Sequence, residues 1–161
     1  MILKRYLFVY PVVLLFSFFG FYLLESYFTI PPDVISGNGN PGMFIVIAFL
    51  PFFIVGYVLS YLVAKNDLAP YLNISTRLIL SMLLFISCLF LLNAIIKDAK
   101  ELFFALGGTP ENPESKIYRF GWFNQYTNSV FFNMYTFLLT HKLTIIFGLF
   151  TSYLKSQYDE K

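Results

Sequence analysis

Three ionisable side chains interrupt the long apolar stretches of this sequence: Glu25, His141 and Lys142. A charged group in hydrocarbon is costly, so each of them is a candidate functional residue whose polar partner has to be found. An imidazole changes its charge near neutral pH, and His141 could therefore relay protons or bind a ligand. Glu25 and Lys142 could instead pair with each other inside a membrane. We treat these three residues as the candidate polar site.

The spacing of small residues in the last apolar stretch separates His141 from Lys142. Small or hydroxyl-bearing residues recur at every fourth position there: Thr136, Thr140, Thr144, Gly148 and Ser152. At about 100° per residue, His141 lies within about 60° of the centre of this stripe and should face other helices. Lys142 lies nearly opposite, where its ammonium should extend towards lipid headgroups.

Each residue therefore has a structural and a functional interpretation. For His141 we favour a neutral imidazole that hydrogen-bonds two helices, with proton relay or ligand binding as the alternative. For Lys142 we favour a headgroup-directed, non-functional side chain. The alternative is a pair with Glu25, which requires the last span to begin near Met134 rather than near Val130, since helix rise otherwise leaves about 11 Å between the two residues.

The composition excludes an ordinary soluble domain. Of 161 residues, 58% are hydrophobic and 12% are charged, against roughly 45–50% and 25% in soluble proteins. The chain also contains 21 Phe, 12 Tyr and 1 Trp, more aromatic surface than the core of so small a domain can hide from water. A lipid environment removes this difficulty, so we predict an integral membrane protein.

Four apolar stretches approach the roughly 20 residues that a helix needs to cross a bilayer. They cover residues 6–30, 43–64, 76–96 and 130–154. We predict an all-α fold in which these stretches form a bundle of four transmembrane helices within one domain, 1–161. The first stretch is too long for a signal peptide and is not followed by a small-residue cleavage site. For the fourth we keep one alternative, a re-entrant element in which residues 120–140 lie in the interface and the C-terminus stays outside.

Small residues predict where these helices touch, because helices in lipid associate through close backbone approach. Gly56 and Ser60 recur at four-residue spacing in the second span, and Thr140, Thr144 and Gly148 do so in the fourth. We expect these five residues to line the helix contacts.

The connection 97–129 is the only substantial segment predicted outside the bilayer. Its first ten residues place apolar and charged side chains with helical periodicity and end at Gly107 and Gly108, which predicts that the third span continues as a short amphipathic interfacial helix. Aromatic rings follow, and Phe120, Trp122 and Phe123 are typical of anchors in the headgroup layer.

The Lys and Arg residues predict the orientation, because positive residues are retained in the cytoplasm. With the N-terminus inside, six of them are cytoplasmic and four face outward. The six are Lys4, Arg5, Lys65, Arg77, Lys155 and Lys161, and the four are Lys97, Lys100, Lys116 and Arg119. We therefore predict a multi-pass protein of the cell membrane with both termini in the cytoplasm.

Catalytic and cofactor motifs are not found. The segment 37–42 matches G-x-G-x-x-G, but it follows a membrane span instead of a strand and has Pro41 where a helix should begin. A single His and a single Cys cannot build a zinc site. The basic residues form no stripe interleaved with aromatics, which excludes nucleic acid as a partner. We expect no enzyme activity, metal or cofactor.

The overall plan resembles the small four-helix proteins of Gram-positive bacterial membranes and is similar in size and layout to membrane immunity proteins against pore-forming bacteriocins. The resemblance is one of architecture over the whole chain and transfers no functional residue. It implies an accessory or immunity-type interaction protein that contacts a membrane partner, or a second copy, through the fourth-span stripe or the aromatic outer loop. The alternative is a small transporter or ion-coupled subunit, with a hydrated path past His141 and Glu25 in an oligomer.

Overall fold

A computed structural model describes the backbone of residues 3–37 and 39–159. All regular structure within these residues is helical, and four segments are long and apolar enough to cross a membrane. This confirms the predicted all-helical class and the number of long apolar helices. The helices are α1 (Leu3–Ser26), α2 (Gly42–Leu62), α3 (Ile74–Ala105), α4 (Asn128–Phe131) and α5 (Met134–Asp159).

The segment after α2 remains helical. The chain continues as a π-helix over Val63–Leu68 and a 3-10 turn over Ala69–Tyr71. Pro70 is accommodated because it lies in the first turn of the 3-10 segment, where its missing N–H is not needed. The chain then reverses, and the Asn73 side chain accepts a hydrogen bond of 2.8 Å from the Thr76 amide to cap α3. We call this end of the bundle the inner end, after the orientation predicted from the sequence.

The fourth apolar stretch covers Asn128–Leu154, close to the predicted 130–154, but its long helix α5 begins only at Met134. Asn133 separates the short α4 from α5 and forms a reciprocal cap with Thr136: the Thr136 amide donates to Asn133 Oδ1 at 2.8 Å, and the Asn133 amide donates to Thr136 Oγ1 at 2.9 Å. Such a pair satisfies two backbone donors at a helix start. The 26 residues of α5 correspond to about 39 Å. The helix is therefore long enough to cross a bilayer, so the re-entrant alternative, in which residues 120–140 lie in the interface, is not required.

The helix α5 lies at the centre of the bundle. It packs against α3 and α2 and, over a smaller area, against α1, which itself packs along α2. The backbones of α5 and α2 approach closely at Gly148, where an added Cβ would lie 2.7 Å from the Tyr61 carbonyl oxygen and 2.8 Å from Ala64 Cβ. Only a glycine allows the two backbones to come this close.

The two loops at the opposite end form one folded unit, which we call the outer cap (residues 27–41 and 106–133). Leu106, Ile117 and Tyr126 are its buried core. The Ile30 amide donates to the Gln125 carbonyl oxygen at 2.9 Å, and the Tyr126 hydroxyl donates to the Val34 carbonyl oxygen at 3.0 Å. The long loop is thus held by the short one through direct hydrogen bonds.

The segment expected to continue the third span as an amphipathic helix does extend α3 without a break, as far as Ala105. Gly107 and Gly108 then adopt positive φ values of 77° and 135°, which only glycine accepts readily. The continuation of α3 and its end at these glycines are therefore observed, and the location of this extension in a membrane interface stays a prediction.

Replacing Gly148 by Ala should destabilise the bundle. The new methyl group meets a backbone oxygen that cannot move without displacing α2, and overpacking of this kind costs about 1–3 kcal/mol. Thermal unfolding in detergent micelles measures the loss. Gly39→Ala is the control, because a Cβ there meets nothing within 4 Å. Equal stability of the native chain and Gly148→Ala would show that the two helices are not in contact here.

Candidate functional site

His141 points into the bundle, on the side that the small-residue stripe predicted. Its side chain is 6% exposed, and its Nδ1 lies 2.8 Å from Ser60 Oγ on α2. The rings of Phe137 and Tyr57 lie 4.6 Å and 4.9 Å from the imidazole, centre to centre. The imidazole therefore joins α5 to α2 by one buried hydrogen bond and by ring contacts.

The single proton of Ser60 determines how this group is bonded. Ser60 Oγ donates to the Gly56 carbonyl oxygen at 2.8 Å, and it also lies 3.0 Å from the Tyr10 hydroxyl. A hydroxyl has one proton to donate, so in the arrangement where Ser60 donates to Gly56, both Tyr10 and His141 Nδ1 donate to Ser60. The imidazole is then the tautomer protonated on Nδ1, and its Nε2 is an acceptor.

Two atoms of this group are buried without a partner among the described residues: His141 Nε2 and Ser17 Oγ. Gly56 lies between them, since a Cβ built on it would be 3.3 Å from His141 Cε1 and 3.8 Å from Ser17 Cβ. We call Tyr10, Ser17, Ser60 and His141 the polar centre. It contains hydrogen-bonding groups but no carboxylate and no ammonium.

A layer of phenyl rings separates the polar centre from the outer cap. Phe21, Phe53 and Phe137 are buried together, and Phe21 contacts both of the others with ring centres 5.0 Å and 5.5 Å apart. Each ring lies one helical turn outward from the polar centre, because Phe21 follows Ser17, Phe53 precedes Gly56 and Phe137 precedes His141. The polar centre is therefore covered on its outer side by three apolar rings.

Lys142 lies on a different face of α5 from His141. Its Nζ donates to Ser87 Oγ on α3 at 3.0 Å, and the side chain is half-buried. The expected extension towards lipid headgroups is thus replaced by a hydrogen bond within the bundle, because Ser87 of the neighbouring helix lies within reach of the ammonium.

Glu25 lies at the outer end of α1 and meets the start of α5. Its Oε2 accepts a hydrogen bond of 3.2 Å from the Met134 amide, and a negative charge is favourable at this end of a helix. Lys142 is eight residues further along α5, which is about 12 Å of helix. Among the described side chains the ion pair found is Lys97–Glu101 at 3.8 Å. The three candidate residues therefore do not form one site.

The predicted packing residues divide into two kinds. Gly56, Ser60 and Gly148 are buried at helix contacts. Thr140 and Thr144 are half-buried, and each hydroxyl donates to the carbonyl oxygen four residues earlier, at 2.8 Å and 2.7 Å. Thr140 also lies within 3.4 Å of the Tyr57 hydroxyl. These two hydroxyls are thus largely satisfied by their own helix.

The three aromatic residues predicted as interfacial anchors belong to the outer cap. Trp122 is 47% exposed and meets Phe103 edge-on, with ring centres 5.7 Å apart. Phe120 and Phe123 are half-buried against other rings of the cap. Their role as membrane anchors stays a prediction.

The hydrogen-bond network of the outer cap was not anticipated from the sequence. Asn128 is fully buried; its Nδ2 donates to the Phe28 carbonyl oxygen at 2.6 Å, and its Oδ1 accepts from Asn40 Nδ2 at 2.8 Å. Gln125 Nε2 donates to the Gly37 carbonyl oxygen and Lys116 Nζ to that of Pro32. The sequence feature that could have indicated this network is the cluster of Asn and Gln residues between positions 124 and 133.

No family model, no curated protein and no solved structure matches this chain. Its function is therefore inferred from its own geometry.

We expect His141 and Ser60 to stabilise the bundle as a coupled pair. His141→Ala leaves buried polar groups unpaired, at a cost of about 1–3 kcal/mol, and Ser60→Ala should add less in that background than in the native chain. A double-mutant cycle of unfolding free energies in detergent should give a coupling of at least about 0.5 kcal/mol. Thr144→Val is the control partner, since its hydroxyl bonds to its own helix. Additive effects of the His141 and Ser60 substitutions would contradict the bond.

Proposed function

We propose that this protein is a multi-pass protein of the cell membrane whose outer cap binds a membrane-protein partner. Membrane insertion is supported by the apolar side chains that the helices direct outward, such as Phe44 and Phe90, which are 77% and 72% exposed. Water would make such a surface unfavourable, whereas lipid tails cover it without penalty. The excess of Lys and Arg at the inner end supports cytoplasmic termini and an outer cap on the far side.

The folded outer cap is the observation that carries this proposal. A loop that served only to connect α3 to α5 would not need a buried core of Leu106, Ile117 and Tyr126 or an amide network through Asn128. These contacts pre-organise the surface, and a pre-organised surface loses less entropy when it binds a partner.

The exposed residues of the cap suit protein recognition. Tyr27, Ile35, Tyr118 and Trp122 are exposed on it, and tyrosine and tryptophan are enriched among residues that dominate binding energy. The partner is a membrane protein that reaches the outer surface: a pore-forming toxin, as the architectural resemblance implies, or a larger complex that the chain assists. The other candidate partner is a second copy of this chain.

The geometry gives less support to a small transporter. A transport path past His141 would have to continue outward through Phe21, Phe53 and Phe137. Glu25 and Lys142 are each bonded elsewhere, to the Met134 amide and to Ser87. The polar centre is better explained as a bond between helices than as part of a path.

Cysteine labelling tests the orientation. In a Cys88→Ser background, Ile35→Cys should react with a membrane-impermeant maleimide in intact cells, because Ile35 is exposed on the outer cap. Asn66→Cys, at the inner end, should react only after the cells are permeabilised. The opposite pattern, or equal labelling of both positions in intact cells, would refute the proposed topology.

Photo-crosslinking in native membranes tests the partner surface. A photoreactive amino acid at Trp122 should give a discrete adduct, whereas the same amino acid at Tyr71, which is exposed at the inner end, should not. Asn128→Ala should reduce the Trp122 adduct severalfold, because it breaks the bonds to Phe28 and Asn40 that order the cap. Equal adducts at both ends, or an adduct at Trp122 that survives Asn128→Ala unchanged, would refute binding through the cap.

A further inference from the structure

A small cavity lies between α3 and α5 at the inner end of the bundle. Its volume is about 150 Å³. The walls are mainly apolar, and two polar residues of α3 reach the cavity. The lining residues are Arg77, Leu78 and Ser81 of α3 and Ile146, Leu149, Phe150 and Tyr153 of α5. A phospholipid could complement such a cavity, because its charged headgroup could contact the cationic side chain and its acyl chain could contact the apolar walls.

The Arg77 guanidinium is held on one edge and free on another. Its Nε donates to the Leu72 carbonyl oxygen at 2.9 Å, which orients the planar group. Its Nη1 is buried and has no hydrogen-bond partner among the described residues. Leaving a buried charged donor unpaired is unfavourable, and an oriented guanidinium fork matches the oxygen atoms of a phosphate group.

Ser81 supplies a second donor to the same cavity. It lies one turn after Arg77 on α3 and also lines the cavity. Arg77 and Ser81 therefore lie on one side of the cavity, opposite side chains of α5 that are mainly apolar.

Asp67 and Lys65 are the charged residues that precede Arg77 most closely in the sequence. Asp67 belongs to the preceding π-helix, and its Oδ2 is also buried without a partner, but no ion pair within 4.0 Å joins it to Arg77 among the described residues. Lys65 is engaged with Tyr61, whose hydroxyl accepts from its Nζ at 2.9 Å. Arg77 is thus a cation without a bonded counter-ion in the described structure, and an anionic ligand would neutralise it.

The depth of Arg77 matches the phosphate layer. It lies three residues after the start of α3 at Ile74, about 5 Å along the helix, just before the uninterrupted apolar part of that span. Lipid phosphates lie at this boundary, and acyl chains lie beside the apolar residues that follow.

We propose that this cavity binds an anionic phospholipid, with the phosphate held by Arg77 and Ser81 and an acyl chain packed against Leu78, Ile146 and Phe150. The inference rests on the membrane insertion proposed above and is independent of the outer cap. Basic pockets between membrane helices on the cytoplasmic side are known to suit anionic headgroups.

The test uses the full-length protein in detergent and its thermal unfolding as the readout. Phosphatidylglycerol should raise the melting temperature more than phosphatidylcholine does. Arg77→Gln should weaken the apparent affinity for phosphatidylglycerol by about tenfold or more, since a hydrogen bond to a charged group is lost. Lys100→Gln, on the exposed outer part of α3, is the matched control and should leave the affinity unchanged. Inorganic phosphate should give no shift, because it lacks the acyl chains.

Several results would overturn the proposal. They are native affinity in Arg77→Gln, equal shifts with both lipids, or a full shift with inorganic phosphate alone, which would indicate a free-anion site.

Asp67→Asn should not weaken lipid binding. A loss as large as that of Arg77→Gln would show that the two residues pair with each other instead. Should Arg77→Gln fail to fold, Arg77→Lys retains the charge without the fork and should still bind phosphatidylglycerol several-fold more weakly than the native chain; native affinity in Arg77→Lys then counts against the site. A chain that folds without detergent and responds to neither lipid would refute membrane insertion itself.

Discussion

The bundle depends on the close approach of α5 to α2. In lipid, helices gain little from packing apolar side chains against each other, so short backbone distances and buried hydrogen bonds must hold them together. Both occur along one face of α5: His141 bonds to Ser60, and two turns later Gly148 meets the carbonyl oxygen of Tyr61. Two contacts on the same face determine both the rotation and the axial position of α5. The remaining polar contacts follow from that position, including Lys142 with Ser87 of α3.

The same placement of α5 determines how the outer cap is attached. Met134 begins α5 beside Glu25, so the carboxylate at the end of α1 accepts from the first amide of α5. The residues immediately before α5 must then turn over the top of the bundle, where Asn128 bonds to the short loop through Phe28 and Asn40. Each such bond contributes only about 1 kcal/mol, but several of them join two loops whose sequence positions are far apart. The cap is therefore ordered by the bundle below it and not by its own sequence alone.

Local periodicity explains what the sequence could predict. The directions of His141 and Gly148 depend only on helix geometry, and both were predicted from the spacing of small residues. The partner of Glu25 could not be predicted, because it lies 109 positions away and depends on where α5 begins. That start is set by the reciprocal bonds of Asn133 and Thr136, whereas hydropathy alone placed the span four residues earlier. Tyr126 illustrates a second limit: an aromatic cluster after a membrane span is typical of the headgroup layer, yet the same composition can build a small core, and Tyr126 is 1% exposed within it.

The distribution of polar groups along the bundle favours binding over transport. Buried hydrogen bonds occur in the polar centre and in the outer cap, and Phe21, Phe53 and Phe137 occupy the layer between them. Opening that layer would separate Phe137 from Phe21 and also from the imidazole of His141, whose ring it contacts. It would thus disturb the helix contact on which the position of α5 depends. The helix α3 packs chiefly against α5 and has little of its apolar surface buried inside the chain. Adjustment to a lipid or a protein partner is therefore least costly along α3, while the contacts among α1, α2 and α5 hold the outer cap in place.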